Sequence, residues 1–204
     1  MDKKAHWEEV YSKKQPGEVS WFQVHPDLSL RLIKAAKLDK TAPIIDVGGG
    51  ASTLVDALLD EGYQNLSVLD ISKEALAHAK RRLTARTENI KWFESDVTQF
   101  QPTQTYQFWH DRAVFHFLTD KDDRKRYLQV LAASLDKTGY AMIATFALNG
   151  PEKCSGLSVQ RYSVESLQQT LGSDYQLILT DQETHLTPGG NQQRFVYCLF
   201  KKLS

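Results

Sequence analysis

Long apolar runs are missing from this sequence. No stretch approaches the ~18 residues that a bilayer-spanning helix needs. The opening Met-Asp-Lys-Lys-Ala-His-Trp has no apolar core of the kind a secretory signal carries, so no membrane partner is expected. Cysteine is scarce, with two in 204 residues, Cys154 and Cys198. Cys198 falls in a strand-like run and reads as a buried structural thiol, and so few cysteines suit a reducing, cytoplasmic setting. Net charge is absent too, with 25 Lys+Arg against 25 Asp+Glu. Without a basic excess or stripe there is no electrostatic footprint for nucleic acid. Repeats, low-complexity tracts and linkers do not occur, so residues 1–204 read as one domain, long enough to bury a substantial core.

What is present begins at residues 43–52, Pro-Ile-Ile-Asp-Val-Gly-Gly-Gly-Ala-Ser. An apolar, strand-like run carries a carboxylate, Asp46, and ends in Gly48, Gly49 and Gly50. Ser52 then opens a helix pattern. Glycine permits a tight turn and close approach of a ligand to the main chain, and the helix N-terminus offers unpaired N–H groups. Two more apolar strands end in acids: Leu66–Asp70 in Asp70, and Ile90–Asp96 in Asp96. In an open parallel sheet the carboxyl ends of adjacent strands line one crevice, which places these acids toward one ligand. Asp70 follows the glycines by roughly twenty residues, the spacing of an acid that bonds ribose hydroxyls. Asp96, followed by Val97, stands where a carboxylate meets an adenine amine.

The rest of the chain alternates helix and strand. The spacing predicts a helix over about 4–14, another over Leu28–Leu38, one from Ser52 to Gly62, and one capped by Ser72. Tyr106–His110 reads as a fourth strand, and Thr119, with Asp122 three residues on, as the start of a helix that Gly139 stops. Tyr140–Phe146 is a fifth strand, Ser163 caps a short helix ended by Gly172, and Tyr175–Thr180 and Arg194–Phe200 flank the turn Thr-Pro-Gly-Gly-Asn. This is an α/β pattern: a doubly wound, mostly parallel seven-stranded sheet with helices on both faces and a closing antiparallel hairpin.

With an acid and Gly-rich turn, a ribose acid and an Asp-apolar pair at these spacings, the chain resembles the class I, seven-strand S-adenosylmethionine-dependent methyltransferases over nearly its whole length. A nicotinamide fingerprint would ask for a glycine where Thr53 stands. The resemblance implies S-adenosylmethionine as cofactor, S-adenosylhomocysteine as its product, and no metal. It implies a cofactor site made of Trp21, Asp46, Gly48, Gly49, Gly50, Ser52, Asp70, Ile71, Asp96, Val97 and Asp111. Residues 1–40 would cap the domain, with Trp7, Tyr11, Trp21 and Phe22 as a lid or a plain hydrophobic seal. The Val-Ser-Trp-Phe-Gln segment around Trp21 looks like a gating segment of related enzymes.

His110-Asp111-Arg112 is expected to follow the fourth strand, at the edge where this family places the reacting methyl. The Pro-Pro-aromatic motif of base-modifying relatives is missing there, in agreement with the neutral charge. His110, Asp111 and His116 are candidate bases, and Arg112, Cys154, Arg161, Tyr162 and His185 candidate substrate contacts. Each has a plain alternative: an Asp111–Arg112 ion pair, a packed His116, ordinary loop residues around 149–157. Methyl transfer needs a base only if the acceptor is protonated. The expected activity is methylation of a small molecule at a thiol, carboxylate or amine. A protein lysine is the second reading, and a non-catalytic donor-binding partner subunit a third.

Overall fold

Short polar side chains fix where several of the helices begin. A computed structural model describes residues 2–203. Asp2 accepts the Ala5 N–H (3.2 Å) and opens α1 (Lys3–Lys13), and α2 follows at Asp27–Ala35. After β1 (Ile44–Val47), helix α3 (Leu54–Asp60) starts where Ser52 Oγ accepts the Leu54 N–H (3.0 Å). β2 (Leu66–Asp70) leads to Ser72, which accepts the Ala75 N–H (3.1 Å) and opens α4 (Lys73–Leu83). Then come β3 (Ile90–Glu94), β4 (Tyr106–Arg112), α5 (Lys121–Ser134) and β5 (Leu135–Phe146). A small hairpin, β6 (Lys153–Cys154) and β7 (Leu157–Ser158), precedes α6 (Val164–Leu171) and the long hairpin of β8 (Tyr175–Leu186) and β9 (Gln192–Lys202).

The seven-stranded sheet has the order β3-β2-β1-β4-β5-β9-β8, with β9 antiparallel to both its neighbours and the pairs from β3 to β5 parallel. Side chains alternate between its faces. Ile44, Phe108 and Met142 pack on one face against α2, α3 and α4, whereas Ile45, Trp109 and Ile143 pack on the other against α5 and α6. A third, smaller cluster joins Tyr11 and Val19 to Ala51 and Ala75, with Trp7, Trp21 and Phe22 against it. This seats the N-terminal segment on the carboxyl edge of the sheet. Strand order reverses at β1, so the crevice between the ends of β1 and β4 is where a ligand site belongs. Among the described residues, no helix is long and apolar enough to cross a membrane.

Boundaries differ from the sequence reading in several places: β8 runs on past Thr180 to Leu186, β9 spans Gln192–Lys202 rather than Arg194–Phe200, α2 ends at Ala35 rather than Leu38, and β3 ends at Glu94, before Asp96. β4 runs two residues beyond His110, because β1 pairs with it on one side through Asp111 and β5 on the other through Arg112. Helix α3 opens at Leu54 rather than Ser52. Helix α5 is capped by Asp120, not Thr119: the Asp120 carboxylate takes the N–H groups of Asp122 (2.7 Å) and Asp123 (3.4 Å). It ends at Ser134, and Gly139 lies inside β5. The hairpin at 153–158 takes part of what reads as a loop, turning through Ser155 (φ 49°) and Gly156 (φ 80°).

Candidate active site

The turn after β1 is built around its glycines. Gly48 has φ 70°, and a Cβ there would run into the Val114 side chain. Gly50 donates its N–H to Asp70 Oδ2 (3.0 Å), and a Cβ on it would lie 2.6 Å from that same oxygen and from Ala75 Cβ. The glycine turn and the end of β2 are thus locked together by close approach. The other Asp70 oxygen accepts the Ser72 N–H (2.8 Å). Burial pushes the Asp70 carboxyl up to about 6, against the pull of the two N–H bonds. Asp96 lies just beyond β3, where Oδ1 accepts both the N–H and the hydroxyl of Thr98 at 2.8 Å.

These acids line a cleft together with Ile71, Ser95 and Val97. Aromatic side chains line it as well: Trp7, Tyr11, Trp21 and Phe117, with Arg112 and Cys154. Trp7 meets Trp21 edge-on (centroids 5.5 Å) and Phe117 likewise (5.1 Å), and Trp21 Nε1 donates to the Tyr11 hydroxyl (3.3 Å). Helix α1 is held over this cleft by charge. Glu8 accepts from the Ser72 hydroxyl (2.9 Å), the Lys73 N–H (2.8 Å) and the Glu74 N–H (3.1 Å), plugging the N-terminus of α4. Burial raises the Glu8 carboxyl, but these bonds outweigh it and hold it below the ordinary range. Lys4 pairs with Glu94 and Lys3 with Asp123, each at 2.5 Å.

A second cavity of about 530 Å³ adjoins the first and shares Trp21, Gly48 and Arg112 with it. Phe22, Asp46, Ser52 and His110 line it as well. Gly49 and Gly50 sit behind the two cavities, bracing the carboxylates of Asp46 and Asp70 respectively.

None of the three candidate bases faces the main cleft. His110 is buried between Asp46 Oδ1 (2.6 Å from Nδ1) and Ser29 Oγ (2.9 Å from Nε2). Asp111, predicted to touch the cofactor, turns into the core. Its Oδ1 accepts the N–H groups of Val114 (2.9 Å) and Phe115 (3.2 Å), and its Oδ2 the Tyr127 hydroxyl (2.7 Å). His116 packs among Phe117, Phe146 and Phe195, accepts the Phe146 N–H (3.3 Å), and is held neutral because burial, then Arg112, pulls it down to about 3.

Of the expected substrate contacts, Arg112 and Cys154 reach the cleft, while Arg161, Tyr162 and His185 do not. Arg112 is spent on the Tyr197 hydroxyl (2.7 Å), the Trp21 carbonyl (3.0 Å) and Glu183 (3.3 Å), which ties the aromatic segment to β8 and β9 rather than to Asp111. Burial raises the Cys154 thiol to about 11. Arg161 braces the 150–152 loop through the Gly150 carbonyl and Glu152, Tyr162 lies tilted against Phe115 (centroids 5.5 Å), and His185 bonds the Ser20 carbonyl (2.8 Å). The sequence reading passed over Phe117, Val114, Ser95 and Glu8. Phe117 was within reach of it, because in a tight turn the neighbours His116 and Phe117 face different ways.

A family model described as "Methyltransferase domain" matches residues 44–139. The chain is 27% identical over 120 residues to the eEF1A lysine and N-terminal methyltransferase of Mus musculus, a stretch covering 58% of this chain and 17% of the mouse protein's length. The structure of the N-methyltransferase NodS from Bradyrhizobium japonicum with S-adenosylhomocysteine superposes with a TM-score of 0.73 at 14% identity, over 97% of this chain and 98% of that one. A structure from work on conversion of a disulfide bond into a thioacetal group in echinomycin biosynthesis gives 0.79 at 16% identity, over 98% and 92%. Sheet order, glycine turn and strand-end acids agree with these likenesses: residues 44–139 match a methyltransferase domain, and the fold is that of the class I, Rossmann-like S-adenosylmethionine-dependent methyltransferases.

Proposed function

We propose that this methyltransferase acts on a small molecule, at a thiolate, carboxylate or amine. The observation that carries the proposal is the lining of the cleft. The cleft is roofed by α1, walled by Trp7, Tyr11, Trp21 and Phe117, and its described lining contains no histidine. Such a site suits a compact acceptor that arrives as a competent nucleophile and needs no protein base.

The donor residues fit a nucleoside. Asp70, with both oxygens already oriented by N–H groups, would take ribose hydroxyls, and Asp96 with Ile71 and Val97 would hold the base. The glycine turn leaves room along the main chain where a Cβ is excluded. When bound, the donor supplies a methyl carbon made electrophilic by positive sulfur. The chain's own part is orientation and exclusion of water. The aromatic faces of the roof favour a cation beneath them, and the Arg112 bond to the Trp21 carbonyl keeps that roof in register. In this reading residues 1–40 serve as the cap of a single domain, and the two free cysteines go with a reducing, cytoplasmic setting.

A protein-lysine acceptor is the second reading, favoured by the lysine and N-terminal methyltransferase activity for which the mouse relative is named. Incubation with methyl-labelled donor and extract of the source cells, followed by separation into volatile, small soluble and macromolecular fractions, decides between them. Label in a small or volatile product supports the proposal. Label on a protein band overturns it in favour of the lysine reading. Donor binding without any labelled product points to a non-catalytic subunit.

A further inference from the structure

Four aromatic rings border the cleft, and they reach it from three places. Trp7 and Tyr11 lie four residues apart on one face of α1, Trp21 comes from the loop before α2, and Phe117 from the turn after β4. The rings stand close to right angles. Trp7 meets Trp21 at 86° and Phe117 at 76°, and Tyr11 meets Trp21 at 78°, with centroids 5.5, 5.1 and 6.1 Å apart. Two perpendicular rings that border one space form a corner, and a group seated there meets ring faces. The face is the negative side of the aromatic quadrupole, so such a corner suits a positive charge.

The charged side chains of the described lining already have partners in the protein. Lys3 is paired with Asp123, and Arg112 with Glu183, its guanidinium lying 4.5 Å from the Phe195 ring centroid. Asp70 accepts from Gly50 and Ser72, and Asp96 from Thr98. The rings are what remains for a cation. Tyr11 also stands close enough to Asp70 for that carboxylate, after burial itself, to raise its phenol. In the donor the sulfur is attached to the 5′ carbon of the ribose. A ribose taken by Asp70 therefore carries the sulfur toward Tyr11 and the rings packed with it.

We propose that Trp7, Trp21 and Phe117 sense the charge on the donor's sulfur, holding S-adenosylmethionine and letting go of S-adenosylhomocysteine. The inference rests on the donor reading above and adds a direction to it. On transfer, the methyl carbon takes a new electron pair from the acceptor, and the pair of the broken carbon–sulfur bond stays on sulfur, which becomes neutral. The ring faces then lose their cation, while the nucleoside contacts stay as they were. Trp7 belongs to α1, so the same event removes a tie between that helix and the body. A plain hydrophobic seal would treat both forms of the donor alike.

The test is calorimetry on the full chain with the two molecules as probes. The unsubstituted protein is expected to bind S-adenosylmethionine about fivefold or more tighter than S-adenosylhomocysteine, the scale of one or two desolvated cation–π contacts. Trp7→Leu keeps an apolar side chain but removes the ring. It should bring the two affinities within about twofold, chiefly by weakening S-adenosylmethionine. Trp7→Phe retains a ring face and should keep most of the preference. Amide exchange in α1 should be slower with saturating S-adenosylmethionine than with saturating S-adenosylhomocysteine. Equal loss toward both probes in Trp7→Leu, no retention in Trp7→Phe, or equal protection of α1 by both shows a plain seal and overturns the proposal. An unsubstituted protein that binds S-adenosylhomocysteine as well or better overturns it too. A preference that survives Trp7→Leu and Phe117→Leu alike assigns the charge sensing to Asp70 instead of the rings. Should Trp7→Leu not fold, Phe117→Leu decides on the same ratio: selective loss of S-adenosylmethionine supports the proposal, and equal or no loss overturns it. Each of these outcomes leaves the donor reading standing, whereas binding of neither probe overturns both.

Discussion

Asp111→Asn is expected to make the protein more stable at neutral pH and to leave methyl transfer intact. Burial pushes the Asp111 carboxyl up from 3.8 to about 6, against the pull of the Tyr127 hydroxyl and two N–H groups. Because its folded value lies above its unfolded one, the native state holds the proton more tightly. The associated stability is present in full below pH 3.8, is lost as pH rises through about 6, and is absent at pH 7.5. At 1.36 kcal/mol per pH unit, the buried charge costs about 3 kcal/mol at pH 7.5. Asparagine carries no charge, and its carbonyl can keep the bonds from Val114 and Phe115. Its amide can donate to the Tyr127 oxygen, so the loss is an acceptor for that hydroxyl's proton, about 1–1.5 kcal/mol. The net gain is about 1.5–2 kcal/mol, or a rise in melting temperature of roughly 3–8 °C for a chain of this length. Paired melts of the variant and the parent at pH 7.5 and 4.5 measure it, with the gain vanishing at the lower pH. A variant that is less stable at pH 7.5, or an advantage that does not change with pH, would refute the assignment of a desolvated charge. Loss of activity in a stable variant would restore Asp111 to the site.

Three further outcomes are expected. Asp70→Ala should weaken S-adenosylmethionine binding by about an order of magnitude or more, by removal of two ribose acceptors; unchanged affinity in calorimetry removes the ribose assignment. Gly48→Ala should cost about 1–3 kcal/mol of stability in denaturant unfolding, because a positive φ and the Val114 side chain both oppose a Cβ. Glu8→Ala should leave global unfolding nearly unchanged yet raise amide exchange in α1 and the first turn of α4, where three donors lose their acceptor. Uniform protection in that variant would show that the aromatic contacts alone seat the helix.

The place of Asp46, Asp70 and Asp96 in the fold was legible in the sequence because it is local: each stands at or just beyond the carboxyl end of an apolar strand, and a strand end has one address in a parallel sheet. Leu66–Asp70 and the cap at Ser72 appear in the structure as read. The surroundings of His110-Asp111-Arg112 were not legible because each side chain is claimed by partners distant in sequence. His110 is held by Ser29, Asp111 by Tyr127 and Arg112 by Tyr197 and Glu183. A polar triplet reads as the end of a strand, yet cross-strand pairing and these buried bonds carry β4 through it. The 153–158 hairpin escaped for another reason, since two-residue strands are too short to show a period.

The way α1 is fastened sets it apart from the body it covers. The sheet and its helices are held by apolar layers on both faces, whereas α1 buries only Tyr11 and is moored by Lys3, Lys4 and Glu8. Salt weakens such partly exposed charges at concentrations that leave an apolar core untouched or firmer. The cover therefore has its own melting behaviour: rising ionic strength frees it while the vessel stays whole. An enzyme built this way would exchange spent donor for fresh faster in brine than in dilute buffer, with the strength of the medium setting how long each reaction stays sealed.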